Sequence, residues 1–259
     1  MLKIGVFDSG LGGLTVVQSL SKVIKGAELF YIADTNNAPY GEKTTEQILQ
    51  YSLNITDYFI KNHKIDALVV ACNTATSAAI STLRIKYPKL ILVGTEPAIK
   101  PAIEQTTSGK VGVLATPATL RGDKYQLLVE KLSNTKKVEL FEQACPGLVE
   151  NIEKGTVESK KSISMLKMWL TPMREAGVDT IVLGCTHYPL ASKVIKDVMQ
   201  REVVLLDSGK ALAQRLLTLL LKEGHKNEGK LVSKFYTTGH IDEKFVYRLV
   251  KSPIVFIVL

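Results

Sequence analysis

The chain has 259 residues, which at the usual ~150 residues per domain gives about 1.7 domains, so one large domain or two small ones. Hydrophobic residues make up 46% and charged residues 22%, ordinary globular values that exclude a disordered, collagen-like or coiled-coil chain. The net charge of +8 suits an anionic partner, but the lysines are scattered among Glu and Asp without a like-charged block, which favours a small anion over nucleic acid.

No apolar run reaches the ~18 residues of a bilayer span. The opening MLKIGVF enters a strand pattern at once, with no basic segment and long apolar run before it, which reads as a cytoplasmic protein. Cys72, Cys145 and Cys185 are too few and too far apart for a disulfide framework or a paired-cysteine metal site, and read as reduced thiols.

Along the chain, short β-rich apolar runs alternate with helix-length amphipathic stretches, the pattern of βα units around a parallel sheet. Strands are expected over residues 3–7, 28–33, 67–71, 90–94, 111–115, 138–143, 180–184, 203–206, 234–237 and 254–258. Helices are expected over 14–24, 45–62, 74–86, 99–106, 120–132, 157–176, 190–199, 210–223 and 243–250. The fold class is α/β.

An internal echo adds an architecture. Asp66-ALVVA-Cys72-Asn73-Thr74 is matched by Asp179-TIVLG-Cys185-Thr186-His187, and Gly5-VF-Asp8-Ser9 by Gly112-VL-Ala115-Thr116, at offsets of 113 and 107 residues. Two matches at nearly one offset predict two pseudo-symmetric parallel-sheet α/β domains facing each other across a central cleft. The expected boundaries are 1–97 plus 208–259 for the first and 98–207 for the second. Sharing ten strands as five per half leaves the first half one short, so the segment after Asp207 is expected to return to it.

In parallel α/β sheets, ligands bind beyond the carboxyl ends of the strands, where loops and helix N-termini offer free N–H groups. The polar clusters DSGLGG at 8–13, NTAT at 73–76, TPAT at 116–119 and THY at 186–188 all follow expected strands one, three, five and seven. Gly10, Gly12 and Gly13, with Asp34 at the end of the second strand, also suggest a dinucleotide site and thus an oxidoreductase. That fit is incomplete, because Thr15 stands where the third glycine belongs and Asp8 would oppose a pyrophosphate. A two-domain binding protein of the periplasmic kind is a further alternative, but it needs no thiols.

The paired cysteines carry most. A thiol just past a strand and at the mouth of a helix feels the positive end of the helix dipole, which favours its thiolate. Two such thiols in repeated halves can serve opposite faces of one carbon, one removing a proton and the other returning one, which is racemase chemistry. His187 stands beside Cys185 as a neighbouring acid or base, whereas Cys145 reads as packing and His63, His225 and His240 as surface.

The motifs FDSGLGGL at 7–14, NNAPYG at 36–41, ACNTAT at 71–76, PGLVE at 146–150, GCTHYP at 184–189 and LDSG at 206–209 cover nearly the whole chain. In them the sequence resembles the bacterial glutamate racemases of the cofactor-independent aspartate/glutamate racemase superfamily. The resemblance implies interconversion of L- and D-glutamate for peptidoglycan and cell-wall biogenesis, by a homodimer, without pyridoxal phosphate or metal. It implies Cys72 and Cys185 as the two bases, with Asp8 assisting Cys72, His187 assisting Cys185, and Glu150 as an acid near the site. It implies substrate contacts from Asp8, Ser9, Tyr40, Gly41, Asn73, Thr74, Thr116, Thr119, Thr186 and His187. One departure is Gly122, where the family usually has serine. Aspartate racemisation within the same superfamily is the nearest alternative, since one methylene is worth only about 1–3 kcal/mol of discrimination.

Overall fold

The computed structural model describes residues 1–133, 138–250 and 254–259. The elements run β1 (Leu2–Asp8), α1 (Leu14–Ser21), β2 (Ala27–Ala33), α2 (Thr45–Tyr58), β3 (Ala67–Val70), α3 (Asn73–Lys86) and β4 (Ile91–Gly94). They continue with α4 (Ile99–Gln105), β5 (Lys110–Ala115), α5 (Pro117–Arg121), α6 (Asp123–Ser133), β6 (Glu139–Ala144), α7 (Leu148–Glu153), α8 (Lys160–Ala176), β7 (Thr180–Gly184), α9 (Ser192–Met199) and β8 (Val204–Leu206). The last are α10 (Gly209–Lys222), β9 (Val232–Thr237), α11 (Glu243–Val250) and β10 (Phe256–Val258). The fold is α/β, and among the described residues every strand pairing is parallel.

The chain divides into two compact units, Met1–Thr95 with Gly209–Leu259, and Glu96–Ser208. The first holds a six-stranded sheet in the order β10-β9-β2-β1-β3-β4, the second a four-stranded sheet in the order β6-β5-β7-β8. The five-and-five division expected from the sequence is therefore replaced by six and four. The returning segment adds two strands beside β2, and the order 2-1-3-4 of the first sheet recurs as 6-5-7-8 in the second. Within that common core β3 corresponds to β7 and β1 to β5, so the sequence echo is an echo of topology.

Continuous apolar runs form the central strands because helices cover both faces of such sheets. β3 is buried along its whole length, as is β7. In the second unit Ile99 and Ala102 of α4, Val111 and Val113 of β5, Tyr125 of α6 and Val182 of β7 share one core.

The echoed aspartates have a common task. Asp66 Oδ2 accepts the backbone N–H of Lys3 at 2.8 Å, pinning the start of β1. Asp179 accepts the N–H groups of Thr107 and Ser108, at 2.8 and 2.6 Å, just before β5. Three hydroxyls, of Thr106, Thr107 and Thr180, also donate to Asp179, and these bonds overcome its partial burial and hold its carboxyl well below the usual carboxylate range.

Several helical expectations change. The single helix over 120–132 is two, α5 and α6, because the extended backbone at Gly122 ends the first, and the Gly122 carbonyl accepts from Tyr125 and Gln126 in the next. The helix expected from 157 starts at Lys160, where the Ser159 hydroxyl accepts from the Ser162 N–H as N-cap. The short α7 was not expected at all. No helix among the described residues is long and apolar enough to cross a membrane.

Candidate active site

In the first unit, β1 ends on Asp8 and β3 leads directly into α3. Asp8 is fully buried, and its Oδ2 accepts the N–H groups of Gly10 at 3.3 Å and Gly13 at 2.9 Å. The glycine loop therefore wraps an internal carboxylate. Gly13 has to be glycine for reasons of space: an added Cβ would lie 2.5 Å from Asp8 Cβ and 2.7 Å from the Tyr31 hydroxyl. This occupies the amides that a pyrophosphate would need, and Asp34 is engaged by Tyr40, Asn37 and Thr238. The dinucleotide reading is thereby overturned.

Cys72 is the N-cap of α3, with its Sγ accepting the Ala75 N–H at 3.4 Å and its thiol 3.8 Å from Ser9 Oγ. This thiol has the helix-mouth position that the sequence suggests. Asn73 and Thr74, the next two residues, are buried, and Asn73 Oδ1 is a buried acceptor with no hydrogen-bond partner among the described residues. Tyr40 and Gly41 are buried in a 3-10 turn, Tyr40–Glu42. The Tyr40 hydroxyl donates to Asp34 Oδ2 at 2.5 Å. Burial first, then the Asp34 charge, push its pKa far up, and the charges of Cys72 and Asp8 add to the effect.

In the second unit β5 leads into Thr116, which caps α5 by accepting the Thr119 N–H at 3.2 Å, and the two hydroxyls lie 2.9 Å apart. Cys185 follows β7 but is not a helix cap. A 3-10 turn, Tyr188–Ala191, comes next, and α9 begins only at Ser192. The helix dipole expected behind this thiol is replaced by a side chain. His187 Nδ1 lies 3.9 Å from Cys185 Sγ and 3.4 Å from Thr186 Oγ1, and Nε2 lies 2.8 Å from Glu153 Oε1. Burial opposes a charge on this imidazole, but the contacts with Cys185 and Glu153 outweigh it and hold its pKa well above 6.5.

Glu153 is the residue that the sequence reading missed. The partner of His187 is this acid at the end of α7, while Glu150, named from the PGLVE motif, is half-buried in the first turn and contributes its charge to the surroundings of Tyr188. The buried pair Leu148 and Ile152, spaced i, i+4, is the signal for α7 that would have set the two acids three residues apart on one helix. Cys145 is buried, as expected of a packing residue, with its thiol donating to the Gln143 carbonyl at 3.6 Å. Burial, then the Cys185 charge, push its pKa up.

His63 departs from its surface reading. It stacks on Phe30 with ring centroids 4.2 Å apart and packs near Tyr58, Phe59 and Tyr236. The sequence placed it beside lysines, but the π-helical turn Phe59–His63 rotates it inward. Among the described residues no group of three or more His, Cys, Asp or Glu side chains could hold a metal ion.

These two sets of residues belong to a chain with close relatives. The glutamate racemase of Sulfurovum sp. (strain NBC37-1) is 61% identical over 249 residues, 96% of this chain and 94% of that protein. That of Aliarcobacter butzleri (strain RM4018) is 57% identical over 251 residues, 97% and 96% of the two. Among solved structures, a glutamate racemase isoform from Bacillus anthracis superposes with a TM-score of 0.89 at 30% identity, covering 100% of this chain and 97% of that one. The family model described as Asp/Glu/Hydantoin racemase matches residues 4–216. The chain belongs to the Asp/Glu/hydantoin racemase family.

Proposed function

We propose that this chain interconverts L- and D-glutamate, with Cys72 and Cys185 as the two proton-transfer groups. The observation that carries the reading is the placement of these thiols at corresponding positions of a recurring strand order, one after β3 and the other after β7. The Sulfurovum and Aliarcobacter relatives are glutamate racemases, which favours glutamate over aspartate.

The α-proton of an amino acid is weakly acidic, so its removal needs a thiolate and a surrounding that stabilises the developing charge on the carboxylate. One cysteine takes the proton as its S–H bond forms, and the other gives its S–H proton to the opposite face of the same carbon. In the reverse direction the roles exchange. The hydroxyls of Ser9, Thr74, Thr116, Thr119 and Thr186 supply donors for carboxylates, together with backbone N–H groups such as those of α3. Asn73 Oδ1 supplies an acceptor that the substrate ammonium can satisfy, relieving the cost of a buried unpaired group, about 1–3 kcal/mol. Asp8 accepts a thiol proton or holds the ammonium. In the second unit His187, braced by Glu153, serves Cys185.

The same reading makes the protein a cytoplasmic homodimer that supplies D-glutamate for peptidoglycan and works without pyridoxal phosphate or metal. It is tested by following the decay of circular dichroism of L-glutamate, L-aspartate and L-alanine in parallel. Decay with glutamate alone, resistant to chelator and to hydroxylamine, supports it. Decay with aspartate alone, or only after pyridoxal phosphate is added, sinks it.

A further inference from the structure

Asp34 lies just past β2 and is 1% exposed. Its Oδ2 accepts the Tyr40 hydroxyl at 2.5 Å, its Oδ1 accepts the Thr238 hydroxyl at 2.6 Å, and the Asn37 amide reaches both oxygens at 3.0 and 3.1 Å. A carboxyl buried this deeply must have its acceptors satisfied, and the donors of Tyr40, Thr238 and Asn37 converge on it from two separate stretches of the chain. The backbone ties it to the site as well, because Asp34 N donates to Asp8 O at 3.0 Å.

The support behind Asp34 comes from the returning segment. Thr238 N donates to Ala33 O, Asn36 N donates to the Thr238 hydroxyl at 3.1 Å, and the Thr35 and Thr237 hydroxyls lie 2.8 Å apart. All of residues 237–239 lie beyond the segment 4–216 that matches the family model. The end of the returning strand β9 thus brings a hydroxyl to Asp34, the acid that holds the Tyr40 phenol.

We infer that Asp34, braced by Thr238, is a positioning residue for glutamate binding, which acts by accepting the hydrogen bond of the Tyr40 phenol. With that proton committed to Asp34, the phenol oxygen meets a ligand as an acceptor only, suited to an ammonium and not to a carboxylate. The same bonds fix the turn on which Gly41 is presented. This rests on the proposed glutamate racemase reading, with the substrate contacts from Tyr40 and Gly41 that the family resemblance implies.

The test is steady-state kinetics with L-glutamate on Asp34→Asn, Thr238→Val, Tyr40→Phe and the double variant Asp34→Asn with Tyr40→Phe. The amide in Asp34→Asn turns one acceptor into a donor pointed at a donor. KM should rise roughly tenfold or more in Asp34→Asn while kcat stays within about threefold. A smaller KM rise in the same direction is expected of Thr238→Val. In the Tyr40→Phe background, Asp34→Asn should add less than about twofold, because Asp34 acts through the phenol. An unchanged KM in Asp34→Asn, or independent effects that multiply in the double variant, overturns the inference. If Asp34→Asn does not fold, an unchanged KM in Thr238→Val overturns it. Cys72→Ser separates the two levels: full turnover in that variant defeats the reading of the site itself, whereas its inactivity beside a normal Asp34→Asn defeats only the role of Asp34.

Discussion

Glu153 Oε1 lies 2.8 Å from His187 Nε2, and the other ring nitrogen of the same imidazole lies 3.9 Å from Cys185 Sγ. The ring thus links the acid to the thiol. Cys72 has a different arrangement, at the mouth of α3 and beside Ser9. The two thiols occupy corresponding places in a common topology but are supported by different chemistry.

Glu153→Gln is expected to lower kcat/KM by roughly 10–100-fold, the value of a lost charge-assisted hydrogen bond of about 1.5–3 kcal/mol. The sign of its pH effect follows from His187. Glu153 helps hold the imidazolium to higher pH, so without it the ring loses its proton earlier and the alkaline limb of the kcat/KM profile moves to lower pH. Glu150→Gln should leave that limb in place. A shift in Glu150→Gln and none in Glu153→Gln would reverse the assignment.

Gly13→Ala is expected to destabilise the fold by about 1–3 kcal/mol, the usual range for overpacking, because its Cβ has no room beside Asp8 and the Tyr31 hydroxyl. Moving Asp8 should also reduce turnover of L-glutamate. Thermal denaturation and a rate measurement on one preparation check both effects, and a variant as stable and active as the parent contradicts the packing argument.

His63 gives a pH-dependent term. Burial, then the charges of Lys234 and Lys3, push its pKa below 6.5 against the opposing charge of Glu28, and its Nε2 is buried without a hydrogen-bond partner among the described residues. The unfolded chain binds the proton more readily than the folded one. The contribution to stability is therefore complete above pH 6.5 and is lost as pH falls below it. His63→Phe keeps an aromatic ring against Phe30 and removes the titration, so its melting temperature should drop less between pH 7.5 and 5.5 than that of the parent. Equal drops would show that His63 carries no such linkage.

Much of this was legible in the sequence because buried parallel strands leave a strong apolar signature, and all ten were placed within a few residues. The echo Asp66 and Asp179 was visible without its reason, which is that each pins the start of a neighbouring strand. Sheet membership was not legible, since strand pairing between β2 and β9 spans some two hundred residues and leaves no local trace. Glu153 was missed because α7 has six residues, with Pro146 and a left-handed Gly147 before it, too short for periodicity to stand out. The 3-10 turn after Cys185 was missed for a related reason: with a helix expected over 190–199 the thiol reads as lying at its mouth, but the turn Tyr188–Ala191 intervenes and α9 begins at Ser192.

The central claim, that Cys72 and Cys185 form a two-base pair, is tested most directly by elimination from the two enantiomers of 3-chloroglutamate. Loss of the α-proton and of β-chloride needs a base on one face only, and serine in place of either thiol removes that base, because a hydroxyl is far harder to ionise. The measurement is the ratio of chloride release rates from the two enantiomers in Cys72→Ser and in Cys185→Ser. The account predicts opposite preferences, with racemisation of glutamate lost in both variants. The same preference in both, or full racemisation in either, would contradict it.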